Sequence, residues 1–296
     1  MATIDLHIHS NYSSDGEFPP AQLVEFCLAA GLTHAAVADH NTARAVDETL
    51  QAATGTPLII IPAIEMNVVY NGLGLHMLGY GIDHHAEIFN EIAEDIRLQD
   101  QANSAKMLRL VRQLGIEFDD ALIESLAVDG IVIAETIAEA ALQFDAKGEN
   151  PLLDPYRAGG HRSDNPYVNF YWDYCAQGKP AHVPVDYITL EQGLEVIRAN
   201  HGVPILAHPG QQLNENKSLL EEIVAQGVDG LEVYSSYHTR EQEHFYRDAA
   251  LELGILMTCG SDFHGKTKKS ILVGGTECEG QEAQIIDALL EKINRA

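Results

Sequence analysis

The chain has 296 residues, 46% of them hydrophobic, enough to bury a substantial core as one large α/β barrel or two medium domains. Its 44 acidic against 18 basic side chains give a net charge of −26, which argues against long nucleic acid or an anionic membrane as partner, because counterion release needs clustered Lys and Arg. The longest apolar run, Leu58 to Pro62, is far too short to span a bilayer. No repeat or low-complexity stretch is visible.

Met1 leads straight into a strand pattern, with no basic region or apolar signal core, so the expected location is the cytoplasm. Residues 3–9 alternate, with Ile4, Leu6 and Ile8 facing one way and Asp5, His7 and His9 the other. A helix follows, with Pro19-Pro20 at its start and its end near Gly31. Strands are predicted at 34–38, 58–64 and 76–80, then at 203–207, 230–234 and 255–259, with helical patterns around 219–225 and 241–253. Alternating β and α over this length predicts an α/β fold with a parallel sheet, closed or nearly closed.

The middle differs. Residues 86–186 read as mainly helical and strand-poor, which predicts an insertion or cap between barrel segments 1–85 and 187–296. A Gly/Pro/polar stretch at 148–166 precedes the aromatic run from Tyr167 to Tyr174, read as the insertion's hydrophobic core rather than a base-stacking platform. The four cysteines (Cys27, Cys175, Cys259, Cys278) are scattered, with no CxxC pair, and are expected as free thiols.

Each strand runs into a residue able to bind metal: His7 and His9, Asp39-His40, Glu65, His76, His208, and Asp262 with His264. In a parallel barrel the C-terminal strand ends converge on one mouth, so these distant positions collect there. A lone histidine near a strand end is usually structural. So many titratable groups in one mouth would be electrostatically costly without metal ions, which predicts a metal centre. His34, His84, His85, His182, His201 and His244 lack this context and are read as structural or surface residues.

Taken together, DLHIHSNYSSDG, VADHNT, IPAIEMN, LHMLGYGID, ILAHPG and GSDFHG resemble the PHP (polymerase and histidinol phosphatase) family of metal-dependent phosphoesterases. The resemblance implies a distorted (β/α)7 TIM-like barrel and two or three divalent ions of manganese, zinc or iron. It implies a first metal on His7, His9, Glu65 and Asp262, with Glu65 bridging to a second on His76 and His208. Asp15, His40 and His264 match the ligands of a third. Asp15 stands where some members have His, which makes a harder site, compatible with manganese or iron. Asp5 and Asp39 are expected to orient neighbouring imidazoles.

The implied reaction is hydrolysis of a phosphate ester by metal-activated water, with His208, His238 and Asp262 as catalytic candidates. Leaving-group protonation falls to His208, His238 or a metal-bound water. Arginines expected in the insertion of small members are replaced by Asp100, Asn103 and Ala105. The remaining basic candidates for substrate binding are Lys179 in a GKP motif, Arg162, and Lys266 with its neighbours Lys268 and Lys269. A small phosphorylated metabolite is the expected substrate: a sugar phosphate, a nucleotide or nucleoside bisphosphate, or a cyclic phosphate. The alternatives are an exonuclease acting on oligonucleotides and a histidinol-phosphate phosphatase. A degenerate metal-binding regulatory domain is disfavoured, because none of the nine ligand positions is missing. A C–N hydrolase is disfavoured because no lysine sits at a strand end among the ligands.

Overall fold

The structure, a computed structural model, describes residues 3–296. β1 (Ile4–Ile8) is buried at all 5 positions, its Ile and Leu side chains in the apolar core and its His7 among residues that could hold a metal. α1 (Pro20–Ala30) starts on a proline, whose fixed φ suits the first helical turn. It stops at Gly31, where φ is 75° and a side chain would be strained. β2 (His34–Val37), α2 (Val46–Ala53) and β3 (Ile59–Ile60) follow, and β1-β2-β3 form a parallel sheet.

The single strand expected at 58–64 is divided. Pro62 has no N–H to donate, and the chain leaves the first sheet there to begin β4 (Ala63–Tyr70) in a second one. Asn71 and Gly72, with φ of 49° and 82°, turn it directly into β5 (Leu73–Tyr80). Positive φ at both central residues is what a tight hairpin needs, and Asn-Gly is its strongest sequence signal. β5 is consequently antiparallel to both β4 and β7 (Val203–Leu206), so the all-parallel expectation fails. His76 stands mid-strand opposite Asn67, and Glu65 opposite Leu78.

The middle of the chain is helical: α3 (Glu87–Gln113), α4 (Asp120–Leu126), α5 (Ala134–Phe144) and α6 (Pro166–Phe170). Asp119 caps α4 by accepting the Leu122 N–H, a contact worth about 1 kcal/mol. These helices bury an apolar cluster of their own, including Val111, Ile116, Ile137, Tyr156 and Phe170. The aromatic run is therefore only partly core. α6 continues into a π turn, Tyr171–Cys175, which places Tyr171 and Trp172 against the cleft described below.

The chain then forms β6 (Ile188–Thr189), α7 (Leu190–Ala199), β7, α8 (Gly210–Leu213) and α9 (Lys217–Ala225). β8 (Gly230–Ser235), α10 (Arg240–Leu253), β9 (Leu256–Gly260) and α11 (Glu282–Ile293) complete it. Capping boxes, Thr189 with Gln192 and Thr239 with Gln242, start α7 and α10. The second sheet has the order β6-β4-β5-β7-β8-β9.

The ladders make two sheets, of three and six strands. Two isolated parallel bridges connect them, Ile8 with Phe263 and His40 with Glu65. Tyr80, fully buried, adds a third link by donating its hydroxyl to the Leu6 carbonyl at 2.9 Å. Among the described residues no helix is long and apolar enough to cross a membrane. All four cysteines are buried free thiols.

Candidate metal centre

The nine expected ligand residues come together where the two sheets meet. One group is His7, His9, Glu65 and Asp262; a second is His9, Asp15, His40 and His264; a third is His40, Glu65 and His76. Within each group the ligand atoms lie within 4.8 Å of one another. His208 joins them through Nε2, 3.1 Å from Glu65 Oε1, beside His76 Nδ1 at 3.0 Å from the same oxygen. Glu65 is thus shared, its Oε2 lying 3.2 Å from both His7 and His9 Nε2.

Short β1, β2 and β9 end in loops that carry these groups, and the backbone there is unusual. Asp262 has φ of 56° and His208 of 23°, conformations that cost free energy for a side chain bearing a Cβ. Asp5 accepts backbone N–H groups of Ser261 and Gly274, each at 2.8 Å, and so holds the loop before Asp262. Asp39 accepts from the Ser10 hydroxyl at 2.6 Å and the Ser13 hydroxyl at 2.8 Å; Ser13 Oγ in turn lies 3.0 Å from His9 Nδ1. Neither acid touches an imidazole, whereas the sequence led us to expect both to orient one. They act through the backbone and through a serine.

Glu232, which the sequence analysis did not single out, does orient one. Its Oε1 lies 3.0 Å from His7 Nδ1 and its Oε2 accepts the His208 N–H at 2.8 Å. A carboxylate accepts only, so His7 carries its proton on Nδ1 and offers the Nε2 lone pair to the centre. The one available sequence signal was a lone acid inside the apolar strand Gly230–Ser235.

The electrostatics follow from burial and crowding. Burial drives His9 down to about 3, helped by His264 and His40, so it is neutral and free to ligate. Burial alone would also lower His7, but Glu65, Glu232 and Asp262 outweigh it and hold it well above the usual range. Against burial, Glu65 and Asp15 raise His40 to about 9. Burial works against the carboxylates too, yet Glu65 is held well below its usual range by His7, His76 and His40. Asp262 is held low by Lys268, His264 and His7, and Asp15 by His264 and His40.

These residues suit divalent ions on their own terms. Buried atoms Asp15 Oδ1, His40 Nδ1, Glu65 Oε2, Asp262 Oδ1 and His264 Nε2 have no hydrogen-bond partner. His40 Nδ1 and Glu65 Oε2 approach to 3.0 Å without hydrogen-bond geometry. Leaving buried polar atoms unpaired is costly, and a cation that accepts several lone pairs satisfies them together. A mixed imidazole and carboxylate set fits manganese, iron or zinc.

The centre floors a cleft of about 640 Å³. Its walls include Tyr171, Trp172 and Tyr187 from the middle of the chain, and Tyr237. Asp100 and Glu135 also line it, pushed up by burial to about 6 and about 8. Among the described residues no arginine lines the cleft, and its lysines are Lys179 and Lys268. Lys179 is exposed; Lys268 is buried, its Nζ 2.5 Å from Asp262 Oδ2.

The other substrate-binding and acid candidates lie elsewhere. Arg162 is engaged bidentately by Asp173, at 2.9 and 2.7 Å, and does not line the cleft. Lys266 donates to Glu139 at 2.7 Å, also outside it. His238 Nδ1 donates to the Val233 carbonyl at 2.8 Å, and its Nε2 accepts the Gly210 N–H at 3.0 Å. Both ring nitrogens are spent, burial lowers its pKa, and the ring steadies the turn after His208.

A fold of this kind with this donor set defines a class, the metal-dependent hydrolases of phosphate esters. The PHP domain matches residues 5–153, half of the chain, and the chain belongs to that family. It is 28% identical to a 5'-3' exoribonuclease of Haemophilus influenzae, over 88% of this chain and 89% of that protein. It is 26% identical to a 3',5'-nucleoside bisphosphate phosphatase of Chromobacterium violaceum, over 94% and 92% respectively. A solved amidohydrolase structure from Chromobacterium violaceum shares the fold, with a TM-score of 0.76 at 23% identity over 97% of this chain and 96% of that one.

Proposed function

We propose that this protein hydrolyses a small phosphorylated substrate, a nucleotide, nucleoside bisphosphate, sugar phosphate or cyclic phosphate, in a two- or three-metal centre in the cytoplasm. The observation that carries this reading is the cluster of nine imidazole and carboxylate residues, of which Asp15, His40, His76, His208 and Asp262 line one cleft of about 640 Å³. Divalent ions in such a set supply Lewis acidity and charge neutralisation for in-line attack of water on phosphorus.

In this reading the two sheets act as halves of a distorted barrel, and residues 86–186 cap it. Glu65 would be shared between two ions, because imidazoles crowd both of its oxygens. His208 serves as a ligand beside His76. Lys179, at the exposed rim, draws the anionic substrate in, and Tyr171 and Trp172 offer it an apolar wall. The acidic surface works against long nucleic acid, which presents many phosphates at once. A second reading, removal of one terminal nucleotide at a time from short RNA, is favoured by the exoribonuclease relative.

The test is hydrolysis by metal-free protein reloaded with Mn²⁺, Zn²⁺ or Fe²⁺, against nucleoside bisphosphates, sugar phosphates, cyclic phosphates and short RNA. Chelation is expected to abolish turnover and one of these metals to restore it, with Glu65→Gln losing metal and activity together. Full activity in a preparation holding well under one metal per chain would end the metal reading. A kcat/KM on RNA of about ten nucleotides equal to or above that on the small esters would replace the first reading by the second.

A further inference from the structure

Phosphoester hydrolysis needs positive charge at the transferring group, and beyond what divalent ions would supply this cleft has few cationic side chains. Among the described residues no arginine lines it, and the positions on α3 facing the substrate side carry Asp100 and Asn103. Of its two lysines, Lys179 stands exposed at the rim. Lys268 is the deep one. It is only 6% exposed, yet it lines the same cleft as Asp15, His40 and Asp262.

Its placement is fixed from several sides. Gly265, at φ 76°, opens the short 3-10 turn Gly265–Lys268, and a Cβ there would run into the Glu17 side chain. The Lys266 N–H donates to Glu17 at 2.6 Å, and the Thr267 hydroxyl donates to the Asp15 carbonyl at 2.9 Å. That anchored turn delivers the Lys268 ammonium to Asp262 Oδ2 at 2.5 Å and over the Tyr237 ring, 5.1 Å from its centre. An ammonium has three N–H donors. Among the described residues Asp262 is the one carboxylate within ion-pair distance of it. Burying an ammonium is costly unless its donors find acceptors, and Lys268 lines the floor of the cleft beside Asp262 with donors beyond the one that Asp262 accepts.

We infer that Lys268 is a catalytic residue, held by Asp262 and Tyr237 so that its free N–H donors bind oxygens of the phosphoryl group under transfer. It does in the floor of the cleft what an arginine clamp would do from the wall. This rests on the proposed phosphoesterase reading for the identity of the anion. A phosphoryl oxygen suits the N–H donors that Asp262 leaves over, because a charged acceptor makes the stronger hydrogen bond to an ammonium. Charge building on these oxygens in the transition state strengthens the contact, so its loss falls on kcat more than on KM.

The experiment uses the full chain, reloaded with metal, as wild type, Lys268→Met and Lys268→Ala. Circular dichroism and elemental analysis establish folding and metal content. Titration with inorganic phosphate, followed calorimetrically, reads binding without turnover. Lys268→Met is expected to keep its metals, to bind phosphate about tenfold or more weakly, and to lose on the order of 10²-fold in kcat/KM. Ethylammonium is expected to restore part of the rate to Lys268→Ala and none to Lys268→Met, whose side chain fills the space. Unchanged phosphate affinity in Lys268→Met overturns the inference. So does loss of metal from that variant, which would make Lys268 a support for Asp262 alone. If wild type hydrolyses no phosphate ester while Lys268→Met still binds phosphate more weakly, the anion contact stands and the proposed reaction fails.

Discussion

At the residue scale, one carboxylate decides how two ligands face the centre. Glu232 fixes the His7 tautomer through one oxygen and the backbone of His208 through the other. Glu232→Gln keeps the size but puts an amide N–H against one of them. If the amide turns its N–H toward His7 Nδ1, the proton moves to Nε2, and that nitrogen can no longer ligate. The expected outcome is a metal affinity about 10–100-fold lower with the fold retained. Competition against a chelator, with the thermal midpoint measured in parallel, checks it. The reading fails if affinity is unchanged. His238→Gln tests the opposite assignment. Because both of its nitrogens are bonded to backbone, we expect altered His208 placement and metal content rather than a shifted acid limb in the pH–rate profile.

The element scale is where the sequence was read least completely. The β1, β2, β8 and β9 patterns were legible because alternation or apolar runs with β-branched residues have few other solutions. Asn71-Gly72 is an equally legible hairpin signal, and it makes β4 and β5 antiparallel. That hairpin carries Glu65 on one strand and His76 on the other, so its register sets the distance across the shared carboxylate. Gly72→Ala, at φ 82°, is expected to destabilise the protein by about 1 kcal/mol. Thermal unfolding measures it, and a midpoint equal to wild type would show that the turn bears no strain. Pro62 was also visible, but where a proline breaks a strand only tells which sheet follows once both sheets exist.

For the whole molecule, the net charge of −26 sets how substrates arrive. Repulsion of a strand of phosphates acts over about a Debye length, roughly 10 Å at 0.1 M salt. Raising salt should therefore speed cleavage of RNA oligomers and barely change turnover of a small ester, the reverse of the slope shown by a basic nuclease. Measuring kcat/KM for both at about 50 and about 200 mM salt decides it. Slower oligomer cleavage at higher salt would reveal a local cationic track that the global charge hides.

The sequence by itself determined the types of candidate ligand, their order along the chain and the net charge, since these depend on composition and local periodicity alone. It also carried the family, through six short motifs that do not depend on how they are arranged in space. Only the tertiary structure decided which residues outside those motifs matter. Glu232 and Lys268 lie 24 and 60 residues after His208. Each is buried beside a partner that sequence spacing does not specify, Glu232 beside His7 and Lys268 beside Asp262. It decided equally against Arg162 and His238, whose polar atoms are taken by Asp173, Val233 and Gly210. A side chain's chemistry is written in its identity. Whether that chemistry is free depends on which neighbours have already used it.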